Sequence, residues 1–428
     1  MTTRPGGRLQ LRWEASADGA RQPNPEGAAG VGRNRYAAGC PMCGSQQTSE
    51  FWHADQAPVF CNALCRSVEE SRVARQAPIH LRYCEQCSGI FNATFDGRLM
   101  AYDAGYENSL HFSPRFQQYA AALADRLVRD HALYDKDLVE IGCGDGLFLR
   151  MLCCRGGNRG LGFDPSYRPE STGTFDGLPI RIVPEYFNAD ASRHRIDFLC
   201  CRQVLEHVDA PRDFLQMVRE TIGGRRNARL FFEVPNVLFT LEEQGIWDII
   251  YEHCNYFSLP SLKQLFESAG FAVVGLREEF DRQFLSIEAE VAKPGALDLS
   301  GDRCEGGLDV PRLARRFAAV YEASVASWRE QLETFRRQRA RVVLWGAGSK
   351  GVTFLNVHRQ FQNLISYVVD LNPHKHGRFV PVTGQRVVAP SFLRDFQPDA
   401  IVVMNPTYRA EIAAMLLEID IAAELMVA

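Results

Sequence analysis

One segment near residue 140 restricts the possible folds of this chain more than any other. The short run Leu138–Ile141 is apolar except for Glu140, and glycines follow at positions 142, 144 and 146. Closely spaced glycines permit positive φ angles and a tight turn between a buried strand and a helix. The segment predicts an α/β fold with a doubly wound parallel sheet, in which a ligand can approach the backbone of the turn.

Acidic residues around this turn indicate which ligand it binds. The spacing is G-x-G-x-G rather than the dinucleotide fingerprint G-x-G-x-x-G, and Glu140 lies two residues before the first glycine. A carboxylate there disfavours a phosphate but can meet the ammonium group of S-adenosylmethionine (SAM). Asp164 ends the next predicted strand, where it can accept both ribose hydroxyls. We therefore predict that SAM is bound by Glu140, Gly142, Gly144, Gly146, Asp164 and Gln203.

That prediction has an alternative, which is a nucleotide fold that binds another ligand or has lost its activity. Gln203 belongs to the segment Cys201–His207, which follows a later predicted strand and contains the sequence Leu-Glu-His. This segment is expected to line the site of the adenosine and the methyl group. Together with the glycine turn and Asp164, it favours SAM.

The rest of the chain divides into regions of different composition over its 428 residues. Residues 1–35 are rich in Gly, Arg and Pro and are predicted to be a disordered tail. Residues 36–100 contain a cluster of cysteines, and residues 101–295 alternate apolar runs with amphipathic stretches. A glycine-rich linker is predicted at 296–310. A long helix and a second α/β unit are predicted over 311–428.

Short apolar runs give the expected strands of the two α/β units. Those of the first unit are Leu138–Ile141, Gly160–Phe163, Ile196–Cys201 and Leu230–Val234, and an antiparallel hairpin is expected near Phe271–Leu276 and Phe284–Val291. Those of the second unit are Val342–Trp345, Ile365–Asp370 and Ala400–Met404.

Two pairs of cysteines predict a metal site. Cys40 and Cys43, like Cys84 and Cys87, are separated by two residues, a spacing that lets both sulfurs reach one tetrahedral ion. The sequence has 13 cysteines, an odd number, and lacks the apolar core of a secretory signal, which favours a reducing compartment. We predict a Zn²⁺-binding domain. The alternative is reduced thiols that bind nothing.

A group of titratable side chains follows the predicted strand that ends near Val234. Tyr251, Glu252 and His253 lie among aromatic residues. Such surroundings can keep His253 neutral, so that it can act as a base, while the hydroxyl of Tyr251 or Tyr256 stabilises an oxyanion. The alternative is an aromatic turn that only packs.

A second glycine turn, Gly346–Gly351, has the G-x-G-x-x-G spacing and lies between a predicted strand and a helix. Lys350 at the start of that helix can meet a phosphate, and Asp370 ends the following strand. The pattern is compatible with a phosphate or nucleotide-sugar contact and equally with a purely structural domain.

Charge and hydropathy exclude several partners. The net charge is −4 and there is no long basic block, so nucleic acid is not expected as a partner. No run approaches about 18 apolar residues, the length of a membrane span. We expect a cytoplasmic protein that acts on a small molecule, and the sequence does not indicate its oligomeric state.

The order of these motifs resembles that of the SAM-dependent sugar C-methyltransferases, of the NDP-hexose 3-C-methyltransferase kind. The resemblance covers residues 38–428 and rests on the two Cys-x-x-Cys pairs, both glycine turns, Leu205–His207 and the Tyr251–His253 segment with Tyr256–Ser258. It implies a small zinc-binding N-terminal domain, a class I Rossmann-like methyltransferase core and a second Rossmann-like C-terminal domain that binds substrate.

The resemblance also implies a reaction. It assigns a nucleotide-linked keto sugar as substrate, His253 as the base with Tyr251 and Glu252 beside it, and a further active-site tyrosine at Tyr106. The expected activity is SAM-dependent C-methylation next to the ketone of a keto-deoxysugar, through an enolate. The alternatives are an O- or N-methyltransferase acting on another small metabolite, and a zinc-bearing binding protein without catalytic activity.

Overall fold

The computed structural model describes residues 39–100, 105–168, 177–223, 228–242, 245–293 and 309–428. The predicted tail and almost all of the predicted linker lie outside these ranges, and the described residues fall within one unit, Asn34–Ala428. No helix within the described ranges combines the length and the apolar character that crossing a membrane requires.

The first elements form an antiparallel sheet that is bounded by the two cysteine pairs. Its strands are β1 (Thr48–Pro58), β2 (Gln76–Cys84) and β3 (Ile90–Asn92), and a short helix α1 (Val68–Arg72) connects the first two strands. One cysteine pair lies in the turn before β1, and the other comprises the last residue of β2 and a residue of the tight connection to β3.

A seven-stranded sheet follows. Its elements in sequence order are α2 (Pro114–Asp130), β4 (Asp137–Ile141), α3 (Leu147–Gly156), β5 (Arg159–Phe163), β6 (Ile180–Val183), β7 (Phe198–Arg202), α4 (Pro211–Ile222), β8 (Arg229–Pro235), α5 (Val237–Glu242), β9 (Asn255–Tyr256), α6 (Leu259–Ser268), β10 (Phe271–Glu279) and β11 (Phe284–Val291). The order across the sheet is β10-β11-β8-β7-β4-β5-β6. Strands β4 to β8 are parallel, and β11 and β10 form the expected antiparallel hairpin at the edge.

Burial explains why these runs become strands. Five consecutive residues of β8 are buried, as expected for a strand that is covered on both faces. Helix α2 covers one face with an apolar stripe that includes Phe116, Leu123 and Leu127. Its first turn is capped by Ser113, whose Oγ accepts a hydrogen bond from the backbone N–H of Phe116 at 3.2 Å.

Strand β9 does not belong to the seven-stranded sheet. It pairs antiparallel with β3 and so extends the N-terminal sheet to the order β1-β2-β3-β9. The segment that contains Tyr251–His253 therefore leads directly into the sheet that carries the cysteine pairs.

The C-terminal unit begins with the long helix α7 (Val310–Gln338). Its other elements are β12 (Val342–Trp345), α8 (Ser349–Val357), β13 (Ile365–Val369), β14 (Arg386–Val388), α9 (Leu393–Phe396), β15 (Ala400–Val403), α10 (Arg409–Glu418) and β16 (Glu424–Val427). All five strands are parallel, in the order β14-β13-β12-β15-β16. Both predicted α/β units are therefore present, and the predicted fold class is confirmed.

Candidate active site

A large cavity lies at the carboxyl ends of the central strands of the seven-stranded sheet. Its volume is about 1180 Å³, whereas a pocket for one small ligand typically measures about 300–1,000 Å³. The connections on either side of β4 and β7 run in opposite directions, which opens a crevice at this position in doubly wound sheets. The N-terminal segment, the central sheet and the C-terminal unit all contribute to the lining.

The glycine turn forms one wall of this cavity. Gly142 has φ +68°, and a Cβ there would lie 2.2 Å from a methyl group of Val204. Gly144 has φ +54°, and a Cβ there would meet no atom within 4 Å. Gly146, with φ +78°, precedes helix α3. The turn thus requires glycine for backbone conformation and close packing at Gly142, and at Gly144 it leaves open space that a ligand can fill.

Glu140 lies beneath the turn. Its side chain lines the cavity, is 2% exposed, and leaves Oε2 without a hydrogen-bond partner among the described residues. Burial raises the pKa of this carboxyl to about 8, although nearby Arg202 lowers it in part. A buried carboxyl oxygen without a donor is costly, so the site fits a ligand that brings a hydrogen-bond donor such as an ammonium group.

Asp164 and Gln203 also line the cavity. In this structure Oδ2 of Asp164 accepts a hydrogen bond from the backbone N–H of Gly144 at 2.7 Å, and Oδ1 accepts two from Ser166. Asp164 therefore fixes the turn in addition to any contact it makes with a ligand. Gln203 has φ +55°, and its side-chain amide donates to Glu233 at 3.2 Å.

Backbone hydrogen bonds around Cys254 fix the position of His253. The N–H of Cys254 donates to the carbonyl of Glu206 at 2.9 Å, and its carbonyl accepts from the N–H of Asn92 at 3.0 Å. The first partner lies in the turn after β7, and the second ends β3 of the N-terminal sheet. The residue after His253 is thus held between a turn at the end of the seven-stranded sheet and the cysteine-bearing sheet.

The imidazole of His253 faces a second histidine and a carboxyl group. The ring centroids of His253 and His207 are 4.9 Å apart. One ring nitrogen from each histidine and one carboxyl oxygen of Glu206 lie within 4.8 Å of one another. Burial, and to a smaller extent His207, lowers the pKa of His253 well below its usual value. His253 is therefore neutral at physiological pH and able to accept a proton.

The structure places Tyr251 and Glu252 outside the cavity lining, unlike His253. The hydroxyl of Tyr251 accepts a hydrogen bond from the N–H of Asp96 at 2.8 Å, and its ring stacks on Phe95. The carboxyl of Glu252 is fully buried and accepts from the N–H of Cys61 at 3.0 Å. Tyr251 and Glu252 hold neighbouring segments, because the three consecutive residues occupy a turn and their side chains diverge.

Of the tyrosines considered, Tyr106 and Tyr256 line the cavity. The hydroxyl of Tyr256 bonds to both the N–H and the carbonyl of Ile250, at 3.2 and 3.0 Å, and is thus engaged by the backbone. The hydroxyl of Tyr106 interacts with the side chain of Asn62. Burial, and then the nearby carboxyl of Glu252, raises the pKa of Tyr106 well above its usual value, so its phenol is a neutral donor.

The C-terminal unit contributes basic residues to the lining, among them Lys350, Lys375 and Arg378. The Nζ of Lys350 donates to Asp248 at 2.5 Å, and the buried Nζ of Lys375 donates to the carbonyl of Ala347 at 3.1 Å. Among the described residues, none accepts a hydrogen bond from the guanidinium of Arg378. Arg378 is therefore available to an anionic ligand, which the sequence pattern around Lys350 did not reveal.

The glycine turn of the C-terminal unit repeats a contact of the first unit. Oδ2 of Asp370 accepts a hydrogen bond from the N–H of Ala347 at 2.8 Å, as Asp164 does from Gly144. This carboxylate faces its own turn, where the phosphates of a dinucleotide would lie. The arrangement does not favour a second dinucleotide in the C-terminal unit.

The four cysteines of the two predicted pairs meet at one point. The Sγ atoms of Cys40 and Cys87 are 3.6 Å apart, and those of Cys43 and Cys84 are 3.5 Å apart. All four sulfurs lie within 4.8 Å of one another, and none forms a disulfide. A tetrahedral zinc ion with Zn–S bonds of about 2.3 Å would place its sulfurs about 3.8 Å apart, so the cluster fits this ion.

Comparison with known families assigns the two α/β units. Residues 113–276 match the methyltransferase domain family, and residues 297–424 match the C-methyltransferase C-terminal domain family. The glycine turn that lines the cavity lies within the first match. The chain is a SAM-dependent methyltransferase. It joins a methyltransferase domain to a C-methyltransferase C-terminal domain, in the order that the sequence resemblance implied, and that resemblance is confirmed.

Individual known proteins share only low sequence identity with this chain. The C-methyltransferase NovU of Streptomyces niveus is 26% identical over 309 residues, which cover 69% of this chain and 72% of that protein. A ubiquinone biosynthesis O-methyltransferase of Pseudoalteromonas translucida is 27% identical over 110 residues, and the match spans 24% of this chain and 45% of that protein. A solved structure, the 1,6-didemethyltoxoflavin-N1-methyltransferase of Burkholderia thailandensis, is 16% identical with a TM-score of 0.33, covering 42% of this chain and 82% of that one.

Proposed function

We propose that this protein catalyses methylation of the carbon next to the ketone of a nucleotide-linked keto sugar, with His253 as the base. The observation that supports this most directly is a neutral imidazole in the cavity that also contains the SAM-type glycine turn. Methylation of oxygen or nitrogen needs no carbon acid, whereas a carbon next to a ketone must lose a proton first. The C-methyltransferase C-terminal domain and the similarity to NovU agree with this assignment.

We assign SAM to the glycine-turn wall of the cavity. Glu140, Asp164 and Gln203 would hold it, together with the glycines 142, 144 and 146. Two features of the turn fit this ligand: the open space beside Gly144 and the carboxyl oxygen of Glu140 that lacks a donor. Bound SAM supplies an activated methyl group.

The protein's own residues prepare the acceptor carbon. His253 removes the proton next to the ketone. The electron pair of that C–H bond forms the C=C bond of an enolate, and the carbonyl π electrons move onto the ketone oxygen. Tyr106, a neutral donor that lines the same cavity, hydrogen-bonds the oxygen as its negative charge develops. Both groups are partly buried, which strengthens these contacts relative to contacts in water.

The assignment of a nucleotide-linked substrate rests on the size and charge of the cavity. About 1180 Å³ exceeds the space that one small ligand typically uses. The C-terminal unit places Arg378, whose guanidinium is available, in the lining, where it can meet a diphosphate. We expect Arg378→Ala to raise KM for a sugar nucleotide about tenfold with little change in kcat, and Arg394→Ala on the exposed surface to change neither. An equal KM for R378A and the wild type would remove Arg378 from the site.

The four-cysteine cluster is assigned to Zn²⁺ on the sulfur separations given above. In this role Cys40, Cys43, Cys84 and Cys87 supply four thiolates and leave no open position, which is typical of a structural site. The ion would link the turn before β1 to the connection between β2 and β3. Metal analysis should find about one zinc per protein molecule.

A substrate panel tests the reaction. Purified protein is incubated with nucleotide-linked keto sugars and SAM labelled in its methyl group, and the products are analysed by mass spectrometry. We expect the label on a carbon next to the ketone. In D₂O without SAM, we also expect deuterium at that carbon of the unmethylated sugar when His253 is intact. A product methylated on oxygen or nitrogen, with no deuterium incorporation, would instead establish the O- or N-methyltransferase.

Asp164→Ala tests the SAM site separately from the acceptor. The substitution removes the hydrogen bond to Gly144 and the proposed ribose contact, and hydrogen bonds to charged groups contribute about 1.5–3 kcal/mol. We expect the affinity for S-adenosylhomocysteine, measured by calorimetry, to fall about 10- to 100-fold. Asp370→Ala is the matched control, because it removes the equivalent contact from the other glycine turn and should leave this affinity unchanged. Equal losses in both variants would contradict the assignment.

A further inference from the structure

Glu206 is a buried carboxyl group to which the reaction proposed above gives no role. Its side chain is 1% exposed and lines the cavity. Neither Oε1 nor Oε2 has a hydrogen-bond partner among the described residues. Unpartnered buried carboxyl groups are costly and are retained where a ligand or a reaction uses them. The sequence signal was the acidic residue in the middle of the Leu205–His207 motif, which lies in the turn after strand β7.

The neighbours of Glu206 in the cavity are His253, the proposed base, and His207. Oε1 lies 4.0 Å from Nε2 of His207, too far for a hydrogen bond, and an oxygen of Glu206 lies within 4.8 Å of a ring nitrogen of His253. The Nδ1 of His207 is 2.9 Å from the carbonyl of Glu252, which can only accept, so Nδ1 carries the proton of that ring. The Nε2 that faces Glu206 is therefore not a donor when His207 is neutral.

Glu206 and His253 have pKa values that are shifted in opposite directions. Burial raises the pKa of Glu206 to about 8, against a smaller opposite effect of its own backbone N–H, while burial lowers the pKa of His253. Because an isolated charge is costly in these surroundings, the resting pair is a neutral acid beside a neutral base. Titratable groups whose environments move their pKa values apart are the expected acid and base of a reaction.

On this geometry, and resting on the function proposed above, we infer that Glu206 is the general acid that protonates the ketone oxygen while His253 removes the neighbouring C–H proton. The C–H bond breaks, its proton binds a ring nitrogen of His253, and its electron pair forms the C=C bond of an enol. The carbonyl π electrons take the proton of Glu206. The two side chains become a carboxylate and an imidazolium within 4.8 Å of each other, so neither charge is isolated.

The remaining steps restore the neutral pair. When the enol carbon gains its methyl group, the enol O–H returns its proton to Glu206 and the ketone reforms. His253 then releases its proton to solvent, so that one proton leaves for each methyl group transferred. Tyr106 shares the ketone oxygen with Glu206 as a second neutral donor, since both line the same cavity.

Two variants separate proton donation from simple hydrogen bonding. Glu206→Gln keeps a neutral donor of the same size but has no acidic proton, whereas Glu206→Asp keeps the acid on a shorter side chain. The assay follows deuterium exchange into the keto sugar in D₂O without SAM, together with kcat. We expect E206Q to lower both rates about 100-fold and E206D to recover part of the loss. The affinity for S-adenosylhomocysteine and the Tm of E206Q should match those of the wild type.

Each of the other outcomes would overturn the role of Glu206 as general acid. Wild-type exchange and turnover in E206Q would overturn the role of Glu206 and leave the proposed function intact. An absence of exchange in the wild type with every keto sugar would overturn the proposed function as well. A second metal ion per protein molecule that is lost in E206Q would show that Glu206, His207 and His253 form a metal site, and would also overturn the inference. Losses of Tm and cofactor affinity in E206Q that match its loss of rate would show a structural role instead.

Discussion

Replacing His253 by asparagine is expected to lower kcat by about 10²- to 10⁴-fold, the usual contribution of a positioned base. Asparagine has a similar size and can keep a hydrogen bond, but it cannot accept the substrate proton. The backbone bonds of Cys254 to Glu206 and Asn92 do not involve the side chain of His253, so the segment should keep its path. Product formation and deuterium exchange at the carbon next to the ketone should fall together.

The controls for this variant are chosen to isolate the chemistry. S-adenosylhomocysteine affinity should be unchanged in H253N, because the glycine turn and Asp164 lie on other elements. His53→Asn replaces an exposed histidine of β1 and should behave as wild type. If H253N exchanged and methylated the substrate at nearly the wild-type rate, the base would have to be another group.

The sequence predicted the central sheet well, because its signals are local. Each apolar run at Leu138–Ile141, Gly160–Phe163 and Leu230–Val234 lies in a parallel strand, and the glycine spacing identified the turn at the cavity. Among the strands of the two α/β units, β6, β14 and β16 were not predicted. They lie at sheet edges where part of each strand is exposed, and so they lack the continuous buried apolar run of β12 and β15.

The candidate site was only partly predictable, because long-range contacts decide which side chains face the cavity. The sequence placed Tyr251, Glu252 and His253 together, but a turn has no period that shows where each side chain points. Tyr251 and Glu252 instead bond Asp96 and the segment at Cys61, which are more than a hundred residues away in the sequence. The sequence analysis included Glu206 as part of the Leu205–His207 motif. Its burial, and its lack of hydrogen-bond partners among the described residues, follow from tertiary packing alone.

The sequence did not predict the pairing of β9 with β3 either. This pairing connects the cysteine cluster to His253, the proposed base. Cys84 and Cys87 form the connection that leads into β3, and β3 pairs with the strand that begins two residues after His253. In addition, the Oγ of Ser258 donates to the carbonyl of Ser88 at 3.3 Å. Only a few residues separate the cysteine cluster from His253, so we expect a loss of order at the cluster to displace His253.

Removal of the proposed zinc ion, by Cys87→Ser or by a strong chelator, should therefore impair both folding and catalysis. Structural zinc sites supply on the order of 10 kcal/mol of binding free energy, which is also folding free energy. We expect metal content to fall from about one zinc per protein molecule to nearly none, with a lower Tm and a kcat reduced at least tenfold. The affinity for S-adenosylhomocysteine should change least, because its glycine turn lies between β4 and α3.

Cys154→Ser provides the matched control, since it replaces an exposed cysteine outside the cluster. It should keep zinc, Tm and kcat, which separates metal loss from a general sensitivity to losing a thiol. A metal-free protein with wild-type Tm would contradict the zinc assignment. A zinc-depleted protein with a lowered Tm but undiminished kcat would support the zinc assignment. It would refute the connection through β3 and β9, because His253 would then hold its position without the cysteine-bearing sheet.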